Sequence, residues 1–121
     1  MNNGNRRRGF SYESRRLRKV SAEGGYGFRA YASKGIVDIC YVDGAGKAHL
    51  EQLKFSSKGN ARISSSELSD LIRFAGRWIG CDCHVSLVVK NAYQKEKEYR
   101  LNVPGLEKVE TFLELRKFYG E

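Results

Sequence analysis

Apolar residues recur at three- and four-residue steps at Leu68, Leu71, Ile72, Ala75 and Ile79, which predicts an amphipathic helix stopped by Gly80. It follows the polar loop SSKGNARISSS (56–66), whose closing serines suit a helix cap. A period of two appears in YGFRAYAS (26–33), GIVDICYV (35–42) and AHLEQLKF (48–55), with the turn DGAGK (43–47) between the last two. The second of these strands is apolar enough to be buried on both faces. CHVSLVVK (83–90) reads as a central strand and EYRLNV (98–103) as a more polar edge strand that Pro104-Gly105 breaks. A last amphipathic helix is expected over 106–119, with Leu106, Val109, Phe112 and Leu113 available for packing.

At the other end, Ser11 is a candidate N-cap for a helix reaching about Glu23, with Glu13 in its first turn and Gly24-Gly25 as its stop. Its apolar stripe is thin: Tyr12, Leu17 and Val20. Residues 1–10 carry Asn, Gly and Arg and read as a flexible basic arm. The order helix, three strands, helix, two strands, helix predicts an α/β fold with a central mixed five-stranded β-sheet flanked by α-helices, as one domain over 11–121.

A chain of 121 residues can bury a core without disulfide or metal staples. No stretch approaches the length of a membrane span and MNNGNRRRGF lacks an apolar secretory segment, so an intracellular place is expected. Three cysteines are too few and odd in number for an extracellular disulfide framework. The net charge of +8 favours a polyanionic partner, and its crowding at Arg6, Arg7, Arg8, Arg15, Arg16, Arg18 and Lys19 points to nucleic acid.

Candidate chemistry lies in the two central strands. Gln52 and Lys54 share one face of theirs, while Glu51, Leu53 and Phe55 share the other. Asp38, on the preceding strand, can pair beside the Gln52/Lys54 face. A carboxylate, an amide oxygen and an ammonium suit a Mg²⁺ ion acting on a phosphodiester, with Mn²⁺ as a substitute. The same residues also read as a local cap or ion pair beside two solvent-facing side chains, since so short a pattern recurs by chance.

With Glu13, FRAYAS, VDI, QLK and LSDLIRFAGRWIG followed by VSLVVK, residues 11–90 resemble the archaeal Holliday-junction resolvases of the PD-(D/E)xK nuclease superfamily. The resemblance implies a structure-selective DNA endonuclease, a homodimer, and a prokaryotic, archaeal or archaeal-virus setting. It assigns Glu13, Asp38 and Gln52 as metal ligands, Lys54 as catalytic lysine, Ser33 near the scissile phosphate and Arg29 as the basic residue before it. DNA contacts are expected from Arg6, Arg7, Arg8, Arg15, Arg29, Lys34, Lys58 and Arg62, and exposed apolar residues such as Trp78 are candidates for the dimer surface. Gln52 stands where those resolvases usually carry glutamate. Mrr-like restriction nucleases resemble this chain in using QxK, which leaves open cleavage of ordinary duplex DNA, or a DNA-binding relic that has lost its metal.

Cys81-Asp82-Cys83-His84 is too small a set for a structural zinc site, so the cysteines are read as packing residues. Phe28, Tyr26 and Tyr31 are read as core aromatics rather than base-stacking platforms.

Overall fold

The computed structural model describes residues 3–30 and 36–121, with side chains from residue 11 onward. Three helices, α1 (Asn3–Ala22), α2 (Ser65–Gly76) and α3 (Phe112–Phe118), flank five strands: β1 (Tyr26–Arg29), β2 (Ile39–Val42), β3 (Ala48–Phe55), β4 (Cys83–Lys90) and β5 (Lys97–Arg100). The strands lie side by side in chain order, and every neighbouring pair is antiparallel except β3 and β4. That parallel pair requires a crossover, which α2 supplies. The expected mixed α/β architecture is therefore the one found.

Each face of the sheet has its own core. On one, Leu68, Leu71, Ile72 and Ala75 of α2 pack over Val85, Leu87 and Val89 of β4, joined by Tyr99, Leu101, Leu106 and Leu115. On the other, Tyr12 and Val20 of α1 cover Ile39, Tyr41, Leu53 and Val88, with Leu17 and Phe55 at the margin. Strand β4 contributes to both cores, as its continuous apolar run requires. Gly27 sets the approach of α1 to the sheet: a Cβ there would meet Tyr41 Cβ at 2.5 Å and Leu17 Cδ2 at 2.9 Å.

Several expectations are corrected. Helix α1 begins at Asn3, not after Ser11, because nothing in the arginine-rich stretch stops a helix and Gly9 only weakens it. β2 is shorter than expected and buried on one side only, since Val42 is exposed and Cys40 half-buried. Phe28 is 58% exposed and Tyr26 78% exposed: they lie on the outer strand, in positions that α2 does not cover. Helix α2 ends before Ile79, which is exposed. The 106–119 segment divides into a short 3-10 turn (Leu106–Lys108) and α3, in which Leu115 is buried and Leu113 exposed. Cys83 is buried as a packing residue should be, whereas Cys81 is exposed. Tyr31 lies outside the described residues. Among the described residues no helix is long and apolar enough to cross a membrane.

Candidate active site where β2 meets β3

Because β2 and β3 are antiparallel, the start of β2 meets the middle of β3. Their register pairs Ile39 with Glu51 and Cys40 with Leu50, and one further step sets Asp38 opposite Gln52. The ladder does continue there: Asp38 N donates to Glu51 O at 2.8 Å, and Ala30 N donates to Asp38 O at 2.9 Å. The Asp38 side chain is pinned as well, its Oδ2 accepting from Leu53 N at 2.8 Å and from Gln52 Nε2 at 3.0 Å. Asp38 and Gln52 thus meet as the alternation of strand faces predicts.

Burial pushes the Asp38 carboxyl above its ordinary value, opposed by the Leu53 amide and the charge of Lys54. Glu13, on α1, is also pushed up, first by burial and then by the charge of Asp38, with Arg29 acting the other way. Arg29 Nε lies 3.3 Å from Glu13 Oε1, and the guanidinium also reaches Ser14 Oγ. Two carboxyls raised mainly by burial, one of them further by the charge of the other, make a site that a divalent cation would relieve.

The donor types present suit a hard cation. Asp38 offers its second oxygen, Gln52 an amide oxygen and Glu13 a further carboxylate, and Mg²⁺ characteristically keeps several waters of its own. Among the described residues no three His, Cys, Asp or Glu side chains are grouped to hold a metal ion, so the amide and waters would complete such a shell.

Lys54 follows on the same strand face as Gln52. Its Nζ donates to Glu67 Oε2 at 2.7 Å, a partner on α2 that sequence reasoning missed. The available signal was the Ser64-x-x-Glu67 spacing of a capping box, which is observed here. Glu51 faces the other way. It is fully buried and held by Arg16, whose Nε and second guanidinium nitrogen lie 2.6 and 2.8 Å from its two oxygens, and by the Tyr41 hydroxyl at 2.7 Å. Regular pairing on both sides of Glu51 leaves no bulge to turn it round.

Of the basic residues, Arg15 is exposed, with its guanidinium 5.9 Å from the Tyr12 ring centre and 5.8 Å from that of Phe55. Lys58 and Arg62 are exposed in the loop before α2. Arg16 is buried by its acidic partners, so its charge belongs to the interior. Ser33 and Lys34, and the side chains of Arg6, Arg7 and Arg8, lie outside the described residues.

No family model matches the chain, and no curated protein matches it. Among solved structures it is similar to that of Hjc from Archaeoglobus fulgidus, described as a Holliday junction resolvase from an archaeal hyperthermophile. The TM-score is 0.56 and the identity 15%, over 76% of each chain. The likeness is one of fold: the five-stranded mixed sheet and its flanking helices are an arrangement shared with an archaeal junction-resolving nuclease.

Proposed function

We propose that the chain is a divalent-metal-dependent endonuclease that cuts four-way DNA junctions, working as a homodimer inside the cell. The observation that carries this reading is Asp38 opposite Gln52, with Lys54 two residues on, where the start of β2 meets β3 in a fold like that of a junction resolvase. A bound Mg²⁺ would polarise the phosphodiester and lower the pKa of an attacking water.

The chain's own residues do the rest. Asp38, fixed by Leu53 N and Gln52, would hold one oxygen toward a bound cation, and Gln52 and Glu13 would supply further oxygens. The Lys54 ammonium stabilises the negative charge that develops on phosphate oxygens as the water oxygen bonds phosphorus and a P–O ester bond breaks. One product end then carries a phosphate and the other a hydroxyl. By the resemblance alone, Ser33 would lie next to the scissile phosphate. Arg6, Arg7, Arg8, Arg15, Lys34, Lys58 and Arg62 would engage the DNA backbone, which favours junction shape over base sequence.

A four-way junction presents equivalent strands in pairs, and a two-fold dimer would deliver two sites to them. The half-exposed Trp78, just past α2, is a candidate for the dimer surface.

One observation favours a second reading. Gln52 adds no charge to the site, as in a junction-binding protein that has lost its metal. Calorimetric titration with Mg²⁺ and Mn²⁺, beside incubation with a junction and a linear duplex of equal length, separates the possibilities. Metal binding with paired cuts in the junction alone is the expected result. Tight junction binding without metal binding favours the second reading, and equal cutting of both substrates favours an Mrr-like duplex nuclease.

A further inference from the structure

The partner of Lys54 is held by an unusually complete set of contacts. Glu67 is the third residue of α2, and its backbone N donates to Ser64 Oγ at 3.1 Å. In return its Oε1 accepts from Ser64 N at 3.3 Å and from Ser64 Oγ at 3.2 Å. The other oxygen, Oε2, accepts from Lys54 Nζ at 2.7 Å. One oxygen is thereby fixed by the helix cap, which leaves the other with a defined direction, and that direction is the lysine.

The lysine needs such a fixture. Its ammonium sits on a flexible four-carbon stem, and the strand-borne neighbour on its own face, Gln52, is neutral. A glutamate at position 52 would place a counter-charge two residues away on the same strand. Here the nearest hydrogen-bonded carboxylate comes from the helix instead. The lysine side chain is 21% exposed and that of Glu67 51% exposed, so the pair lies at the mouth of the site, where a phosphate can still reach the ammonium. Lys54 also bears electrostatically on Asp38, so moving it changes the surroundings of the carboxylate directly.

We propose that Glu67 is the positioning residue for Lys54: the capped first turn of α2 holds the ammonium at the Asp38–Gln52 face, in place to meet the scissile phosphate. This inference rests on the reading of Lys54 as the group that stabilises charge on that phosphate. It also makes α2 more than a crossover, since a shift of its first turn moves the lysine.

The test compares wild type with Glu67→Gln and Glu67→Ala in the full chain, by single-turnover cleavage of a four-way junction and by junction affinity. Glutamine serves in a capping box as glutamate does, so Glu67→Gln keeps the cap while removing the ion pair with Lys54 and the charge that Glu67 sets near Asp38. Junction Kd is expected within about twofold of wild type, while the cleavage rate constant falls about 10- to 100-fold, the scale of loss that misplacement by an ångström produces. A purely structural cap predicts wild-type cleavage by Glu67→Gln and a slow Glu67→Ala, and that result overturns the proposal.

If wild type cuts nothing, the functional reading has failed, and the contact is judged separately by a thermal double-mutant cycle with Lys54→Met and Glu67→Gln. A non-additive change in Tm of about 1–4 °C upholds the positioning contact, and strict additivity overturns it.

Discussion

Arg16 grips Glu51 through both carboxylate oxygens, at 2.6 and 2.8 Å, on the side of β3 turned away from Asp38. The glutamate adjacent to Gln52 is thus committed to the interior and is no substitute for a carboxylate at position 52. The pair is part of a larger network. Arg16 also contacts Glu96 and lies 3.0 Å from Glu98, and the Tyr12 hydroxyl donates to Glu96 at 2.6 Å, which ties α1 to the start of β5.

Losing one member of this network leaves the other stranded. Arg16→Met leaves a fully buried Glu51 carboxylate with the Tyr41 hydroxyl alone, and a loss of about 3–5 kcal/mol is expected in urea unfolding. Glu51→Gln is expected to cost less, because Arg16 keeps Glu96 and Glu98.

Without metal, Asp38 and Glu13 work against the fold at neutral pH. A carboxyl whose pKa is raised in the native state binds its proton more tightly there than in the unfolded chain. Its stabilising contribution is therefore full below its ordinary value, 3.8 for Asp38, and is lost as the pH rises through the raised native value. Asp38→Asn is expected to raise Tm at pH 7 in metal-free buffer and to flatten the fall of Tm above pH 4. Mg²⁺ should raise the Tm of wild type, with a response that grows with concentration, and should not raise that of Asp38→Asn.

Gln52→Glu restores a charged ligand on the face that Asp38 and Lys54 share. Divalent affinity measured by calorimetry is expected to rise about tenfold, because ligand charge sets the affinity of oxygen sites for hard cations. An unchanged affinity would place the cation elsewhere.

Exposed and buried arginines should behave differently toward DNA. Arg15→Ala and Lys58→Ala are each expected to lower the slope of log K against log salt for junction binding by about one. A variant of the buried Arg16 that still folds should leave that slope unchanged.

How legible the molecule is in its sequence follows from how many constraints act on each segment. β3 and β4 occupy the expected 48–55 and 83–90, because an alternating strand and a long apolar run, each bounded by turns, have one way to lie in the sheet. The outer strand reads less well. Its aromatic alternation looks like a core face, but whether a helix covers that face is a tertiary fact, and Phe28 is left exposed. Asp38 beside Gln52 follows from strand alternation and a short turn. Glu67 beside Lys54 does not, since it depends on where the long 56–64 loop sets α2 down.

The most direct measurement is cleavage of a synthetic four-way junction by wild type and by Asp38→Asn, in Mg²⁺ and in Mn²⁺, with junction affinity recorded for both proteins. Paired cuts by wild type, absent from an Asp38→Asn variant that binds the junction equally well, are the expected result. Equal cutting by the two proteins, or tight binding without cutting by either, would contradict an active site at the Asp38–Gln52–Lys54 face.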